Sequence, residues 1–393
     1  MKTVAPEQVG LSASRLARIA TRMRYYVDQK KLAGIVTLVA RRGGVAHFEK
    51  IGYQDLSSGT PIELDTIFRI YSMTKPVTSV ALMMLFERGL VRLSDPVSKF
   101  VPEFKRVKVY VGAGELADLE REITVHDLLT HTAGLSYDFF FDSPVDALYR
   151  EADLRADITL EEMVRRIASL PLVHQPGRVW RYSMAVDVIG RVIEVISGLS
   201  LAEFFDEKIL RPLGMRDTAF AVPPEAVDRF ATMYGLTEKG ALDVLETPAA
   251  SNYTKIVRRF SGGGGLVSTA ADFVRFAQLV LNKGELDGVR LLGRKTMEYM
   301  AINHLPPALL PIKMEEPMPG TGFGLGFSVL MDVAQSDLMG SAGAHGWGGA
   351  ANTHFWVDPQ EQLIGILMLQ YMPSHTYPVT NDFRTLVYQA LVD

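Results

Sequence analysis

Residues 11–30 place Leu16, Ile19, Met23 and Val27 at spacings of three and four, the pattern of a helix with one apolar face. Two strand-like apolar runs follow, Ile35–Ala40 and Val45–Ile51. Arg41-Arg42-Gly43-Gly44 joins them and predicts a β-hairpin. A second strand-rich region lies near the C-terminus: Phe323–Met331, Asn352–Val357 and Leu363–Leu369, with Asp358-Pro359 as the turn between the last two. The chain closes on a predicted helix from Asn381 to Leu391. From Ser72 to about Phe260 the periodicity is mainly helical, as in Leu160–Leu170, Met184–Ile196 and Leu201–Ile209.

Strands at both ends with helices between them predict an α+β fold. One antiparallel sheet, flanked by helices, is built from residues 1–71 and 261–393, and residues 72–260 form an inserted, mainly helical domain. The expected site is the cleft between the two.

Composition narrows the function classes. The 393 residues carry a net charge of −4 with both signs interspersed, so no basic stripe invites nucleic acid. The absence of cysteine rules out a thiol nucleophile, disulfides and thiolate metal sites. No apolar run reaches the ~18 residues of a membrane span. Met1–Gly10 has no apolar signal core, so a cytoplasmic location is expected.

The chemistry concentrates in Ile67–Gly89, IFRIYSMTKPVTSVALMMLFERG. Ile67–Tyr71 reads as a strand. A helix is predicted from Ser72, apolar nearly all round through Met73, Val77, Val80, Ala81, Met83, Met84 and Leu85, and therefore buried. Pro76 falls in its first turn, where amides lack intrahelical partners. Ser72 at the N-terminus meets the positive end of the helix dipole. Lys75 shares its face three residues on, and burial there disfavours the ammonium form, which suits it to accept a proton. S-x-x-K occurs once in the chain, at this position.

Two further segments complete a candidate site. Pro176-Gly177-Arg178-Val179-Trp180-Arg181-Tyr182-Ser183-Met184 delivers Tyr182 just before a helix, and a phenol beside a lysine makes a proton shuttle. His345-Gly346-Trp347-Gly348-Gly349-Ala350 puts glycines on a strand, where a ligand can approach the backbone and an N–H can donate to an oxyanion. Tyr137 and Phe139, in the cluster Tyr137-Asp138-Phe139-Phe140-Phe141, either line a substrate pocket or pack onto the core.

With these segments the sequence resembles the serine β-lactamase and penicillin-binding-protein superfamily, and within it the family VIII carboxylesterases, which share the class C β-lactamase fold. The carriers of the resemblance run almost the whole chain: Ser72-Met73-Thr74-Lys75, Leu128-Leu129-Thr130-His131-Thr132-Ala133-Gly134-Leu135, Tyr182-Ser183-Met184, Pro212-Leu213-Gly214-Met215-Arg216-Asp217-Thr218, Gly263-Gly264-Gly265-Leu266 and Trp347-Gly348-Gly349. The resemblance implies that Ser72 is acylated and that Lys75 and Tyr182 share the acid–base work, the order of proton transfer being open. It implies an oxyanion hole made by the amides of Ser72 and Ala350, a pocket including Trp347, Gly348 and Gly349, and no cofactor or metal.

Two departures point away from β-lactams. Met184 stands where β-lactamases carry Asn, and Trp347 where they carry Lys or Arg, which removes an amide and a carboxylate-pairing cation. A small-molecule ester is the expected substrate. A β-lactamase, a penicillin-binding sensor that acylates and stalls, and an acyltransferase remain as alternatives. Other hydrolase designs lack their signatures: there is no G-x-S-x-G and no H-E-x-x-H, and Gly262–Gly265 lacks dinucleotide-binding spacing. His126 and His131 read as loop or core histidines.

Overall fold

The computed structural model describes residues 1–238, 240–314 and 316–393. Its central sheet takes strands from both ends of the chain. In spatial order they are Lys2–Thr3, Gly44–Asp55, Gly34–Arg41, Leu363–Met368, His354–Asp358, His345–Gly348, Ser328–Leu330 and Thr321–Phe323, with Thr60–Pro61 added beside Gly44–Asp55. All these pairings are antiparallel except that of Lys2–Thr3. The first hairpin turns through Arg42 and Gly43, both in the left-handed region at φ 51° and 79°, as a tight hairpin turn requires.

One face of the sheet is covered by α1 (Ala13–Asp28) and the C-terminal helix Val379–Tyr388. Leu16, Ile19, Met23, Phe383 and Val387 pack there with Trp356. Tyr26 fills the last core position of α1 where the spacing predicts Val27, which is only partly buried. On the other face lies the helix Ala270–Leu281, followed by the helical region. There α2 (Thr74–Glu87) packs against the helix Ala185–Ser197 within one continuous apolar cluster.

Four local expectations are corrected. Of Ile67–Tyr71 only Phe68–Arg69 is strand, paired with Val267–Ser268 outside the main sheet. The chain then turns sharply: Tyr71 has φ 41° and Ser72 sits in a 3-10 turn, Tyr71–Met73, so the α-helix starts at Thr74. The run Phe323–Met331 is two strands, because Gly326 at φ 95° folds it back on itself. The strand expected from Asn352 starts at His354, since Asn352 is left-handed at φ 62°.

Candidate active site

Ser72 is delivered by strain and by packing. Phe68–Arg69 is anchored by Arg69, a fully buried guanidinium. Arg69 donates to Glu246 Oε1 from Nε at 2.9 Å and Nη2 at 2.6 Å, and from Nη1 to the Ala231 carbonyl at 2.7 Å. Tyr71 follows in a left-handed conformation that a non-glycine residue adopts only under tertiary constraint. The next residue, Ser72, stands at the mouth of α2, only partly buried.

Lys75 reaches back one turn. It is 1% exposed, and its three donors all find acceptors. Nζ donates to Ser72 Oγ at 3.1 Å, to Tyr137 Oη at 2.9 Å and to the Gly263 carbonyl at 2.7 Å. Tyr182 Oη donates to Ser72 Oγ at 2.7 Å from the other side. Ser72 Oγ therefore sits between the lysine nitrogen and a phenol, both within proton-transfer reach.

The Tyr182 loop is strapped to the segment that carries His131 and Ser136. Arg181 N–H donates to the His131 carbonyl at 2.8 Å and Met184 N–H to the Ser136 carbonyl at 3.1 Å. The Arg181 side chain ties Ser136, Asp142 and the fully buried Asp146 together. The phenol ring is walled by aromatic rings: His131 at 4.8 Å, Tyr137 at 5.2 Å, Trp347 at 5.5 Å and Trp180 at 6.4 Å between centroids. Lys75 Nζ lies 4.5 Å from its ring centroid.

Trp347 does more than wall the site. Its indole N–H donates to Tyr182 Oη at 3.3 Å, so a neutral donor meets that phenol. The strand His345–Gly348 ends against the serine turn. Thr353 Oγ1 donates to the Ile70 carbonyl at 3.3 Å, and a Cβ on Gly349 would collide with that carbonyl. This contact seats the segment that precedes exposed Ala350 against Ile70, two residues before Ser72. Among the described residues neither amide, Ser72 nor Ala350, donates to another protein group. Both are thus free to receive an oxyanion.

Two groups have contacts beyond their sequence-based reading. The pattern makes Tyr137 a pocket wall or core filler; its ring is buried in the core, and its hydroxyl in addition accepts from Lys75. Burial, with the neighbouring Tyr182 phenol and Asp187 carboxylate, holds the Tyr137 phenol well above its usual range, so it stays a neutral partner. His131 is buried as a core histidine, yet it packs directly on Tyr182. Burial, then the nearby Lys75, hold its imidazole well below the usual range, so no second cation crowds the lysine. His126 meets His304 instead, with Nε2 to Nδ1 at 3.3 Å.

Phe139 stacks on Tyr137 at 4.6 Å and is 45% exposed, while Phe141 is 79% exposed. An aromatic surface therefore runs from the lysine to solvent. The Gly262–Gly265 run, which fits no nucleotide motif, supplies the third lysine acceptor. No sequence signal marks that carbonyl, because any residue offers one.

Among known proteins, the family described as Beta-lactamase matches residues 19–389. Protein Rv1367c of Mycobacterium tuberculosis (strain ATCC 25618 / H37Rv) is 37% identical over 365 residues, covering 90% of this chain and 89% of that one. Esterase EstB of Burkholderia gladioli is 33% identical over 401 residues, covering 96% of each. Among solved structures, EstCE1, described as a hydrolase with promiscuous acyltransferase activity, superposes with a TM-score of 0.82 at 26% identity, covering 95% of this chain and 99% of that one.

Proposed function

The chain belongs to the beta-lactamase family, and from that premise we propose that it is a carboxylic ester hydrolase working through an acyl-enzyme on Ser72. A serine hydrolase on the β-lactamase scaffold is the shared ground. The observation that carries the narrower reading is the Trp347–Tyr182–Ser72–Lys75 constellation. A neutral indole N–H stands at the position where the resemblance puts a carboxylate-pairing cation, so Trp347 offers a substrate carboxylate no ion pair.

In this reading Lys75 or Tyr182, once it has given up its own proton to solvent, takes the proton of Ser72 as Oγ attacks the ester carbonyl carbon. The carbonyl oxygen gathers negative charge between the Ser72 and Ala350 amides. The same acid–base pair returns the proton to the departing alkoxide, and the alcohol leaves. A water then repeats the attack on the acyl-enzyme, freeing the acid and restoring Ser72. Tyr137, Phe139 and Trp347 offer ring faces next to the reacting atoms, which suits esters of short-chain acids or small alcohols with apolar groups.

The relationship to EstCE1 favours one second reading, transfer of the acyl group to an alcohol in place of water. A side-by-side assay on p-nitrophenyl butyrate and a chromogenic cephalosporin, with and without added alcohol, tests all three readings. Faster ester turnover is expected, with loss on Ser72→Ala in a folded protein and a drop on the order of a hundredfold in Lys75→Ala and Tyr182→Phe. Cephalosporin turnover above that of the ester overturns the esterase assignment, and a new ester in the presence of alcohol assigns the transferase. Activity surviving Ser72→Ala removes the nucleophile.

A further inference from the structure

Asp187 is a buried carboxylate that the mechanism above does not use. It lies in the first turn of the helix Ala185–Ser197 and is 1% exposed. Its Oδ1 accepts from Ser261 Oγ at 2.5 Å and from the Gly263 amide at 3.1 Å. The same glycine turns its carbonyl to Lys75 Nζ at 2.7 Å. A Cβ on Gly263 would collide with the Asp187 carboxylate, and one on Gly262 would sit 2.7 Å from the Val186 carbonyl. Thr78, one turn beyond Lys75 on α2, holds the Gly262 carbonyl at 2.7 Å. The glycine run is thus clamped between the helix that bears the lysine and the helix that bears the aspartate.

Two hydrogen bonds explain an acceptor at this position. They do not explain a charge. Asparagine would accept from the same hydroxyl and amide, and would avoid burying an ion, which costs several kcal/mol where no partner offsets it. Among the described residues neither Asp187 nor Lys75 forms a direct ion pair. The other groups facing the lysine are neutral or already matched. Tyr137 and Tyr182 are phenols, and His131 is held neutral by burial. Arg155, at the rim, is paired to Asp138 through two contacts of 2.5 and 2.8 Å. Asp187 also acts on Arg155, and it is the buried carboxylate joined to the lysine through a single residue, Gly263.

We propose that Asp187 is a positioning residue with an electrostatic role: it orients the Gly263 carbonyl onto Lys75, and its negative charge raises the proton affinity of the Lys75–Tyr182 base. The proposal rests on the Ser72–Lys75–Tyr182 reading and deepens it. The sign is the same whichever group accepts the proton. A nearby anion favours ammonium over amine and phenol over phenolate, so it makes either group a stronger base. The retention of a buried carboxylate then has a chemical return in the rate of serine activation.

The test is the pH profile of kcat/KM on p-nitrophenyl butyrate for the wild type, Asp187→Asn and Ser261→Ala. Asp187→Asn keeps the acceptor and deletes the charge. Its acidic limb moves down by about one pH unit and its plateau falls several-fold, with KM little changed. Ser261→Ala deletes one hydrogen bond and keeps the charge, so its limb stays in place and its rate stays near wild type. An Asp187→Asn limb that overlays the wild type overturns the proposal, as does a Ser261→Ala variant that loses as much rate or shifts as far. If Asp187→Asn does not fold, Ser261→Ala decides alone: rate and limb retained support the charge, and rate collapse reduces Asp187 to a strap. Ser72→Ala in the same assay separates the layers. Activity that survives it sinks the underlying reading, whereas activity lost with it leaves only the role of Asp187 in question.

Discussion

At Lys75 all three N–H bonds are spoken for, by a serine, a tyrosine and a carbonyl. A lysine on a flexible four-carbon stem is directional only when its surroundings make it so. Tyr137 is one of those surroundings, and its contribution is measurable. Tyr137→Phe keeps the ring that stacks on Phe139 and removes the acceptor. The loss of one hydrogen bond to a charged group, about 1.5 kcal/mol, predicts a fall in kcat of about tenfold with the melting temperature nearly unchanged. A rate equal to wild type would reduce Tyr137 to packing. Ser72 and Lys75 are legible in the sequence because they lie three residues apart where a buried apolar helix begins. Tyr137 and Gly263 are not, because 62 and 188 residues of chain separate them from Lys75.

Among the elements, the strands show the closest dependence on particular residues. Trp356 and Gly365 are register partners on neighbouring strands, and the indole lies over the glycine where a Cβ would stand. Trp356 is almost fully buried there among Phe383 and Val387. Gly365→Ala therefore overpacks the outer face and costs about 1–3 kcal/mol, read as a lowered melting temperature. Adding Trp356→Phe to that variant makes room and recovers part of the loss. If the double variant is less stable than the two single effects combined, the collision is not the cause. Helices and strands are mostly readable from periodicity, while their ends are not. The Ser72 helix starts two residues late because Tyr71 turns left-handed. The Phe323–Met331 run breaks at Gly326, which lies against Ser79 of α2, a contact that periodicity does not encode.

For the whole molecule, the sheet is a partition between two apolar clusters, and several histidines are sealed in it or beside it. Burial holds the His47 imidazole down at about 4, and holds His131 and His345 below their usual range of 6.5. An unfolded chain takes up these protons as pH drops below 6.5, and the folded protein resists them. Stability is therefore fully present above that pH and is lost as pH falls toward 4. The slope is up to about 1.4 kcal/mol per pH unit for each such histidine. Thermal scans between pH 7 and pH 5 are expected to show a falling melting temperature, and His47→Gln, which removes one of these groups, lessens the slope. A melting temperature that stays flat over that interval would contradict the assignment of these rings as neutral.

The amino-acid sequence alone determined what depends on neighbours within a few turns: the amphipathic N-terminal helix, the hairpin at Arg42 and Gly43, the apolar helix behind Ser72, and the pairing of that serine with Lys75. These follow from steric limits and from burial patterns that repeat every two or three to four residues. The tertiary structure alone decided which acceptors surround the lysine, that Trp347 donates to Tyr182, and that Asp187 stands behind Gly263. Those contacts join segments brought together by closing the sheet from both ends of the chain and by packing α2 against the helix of Asp187. Their chemistry depends on ångström distances that no local pattern records.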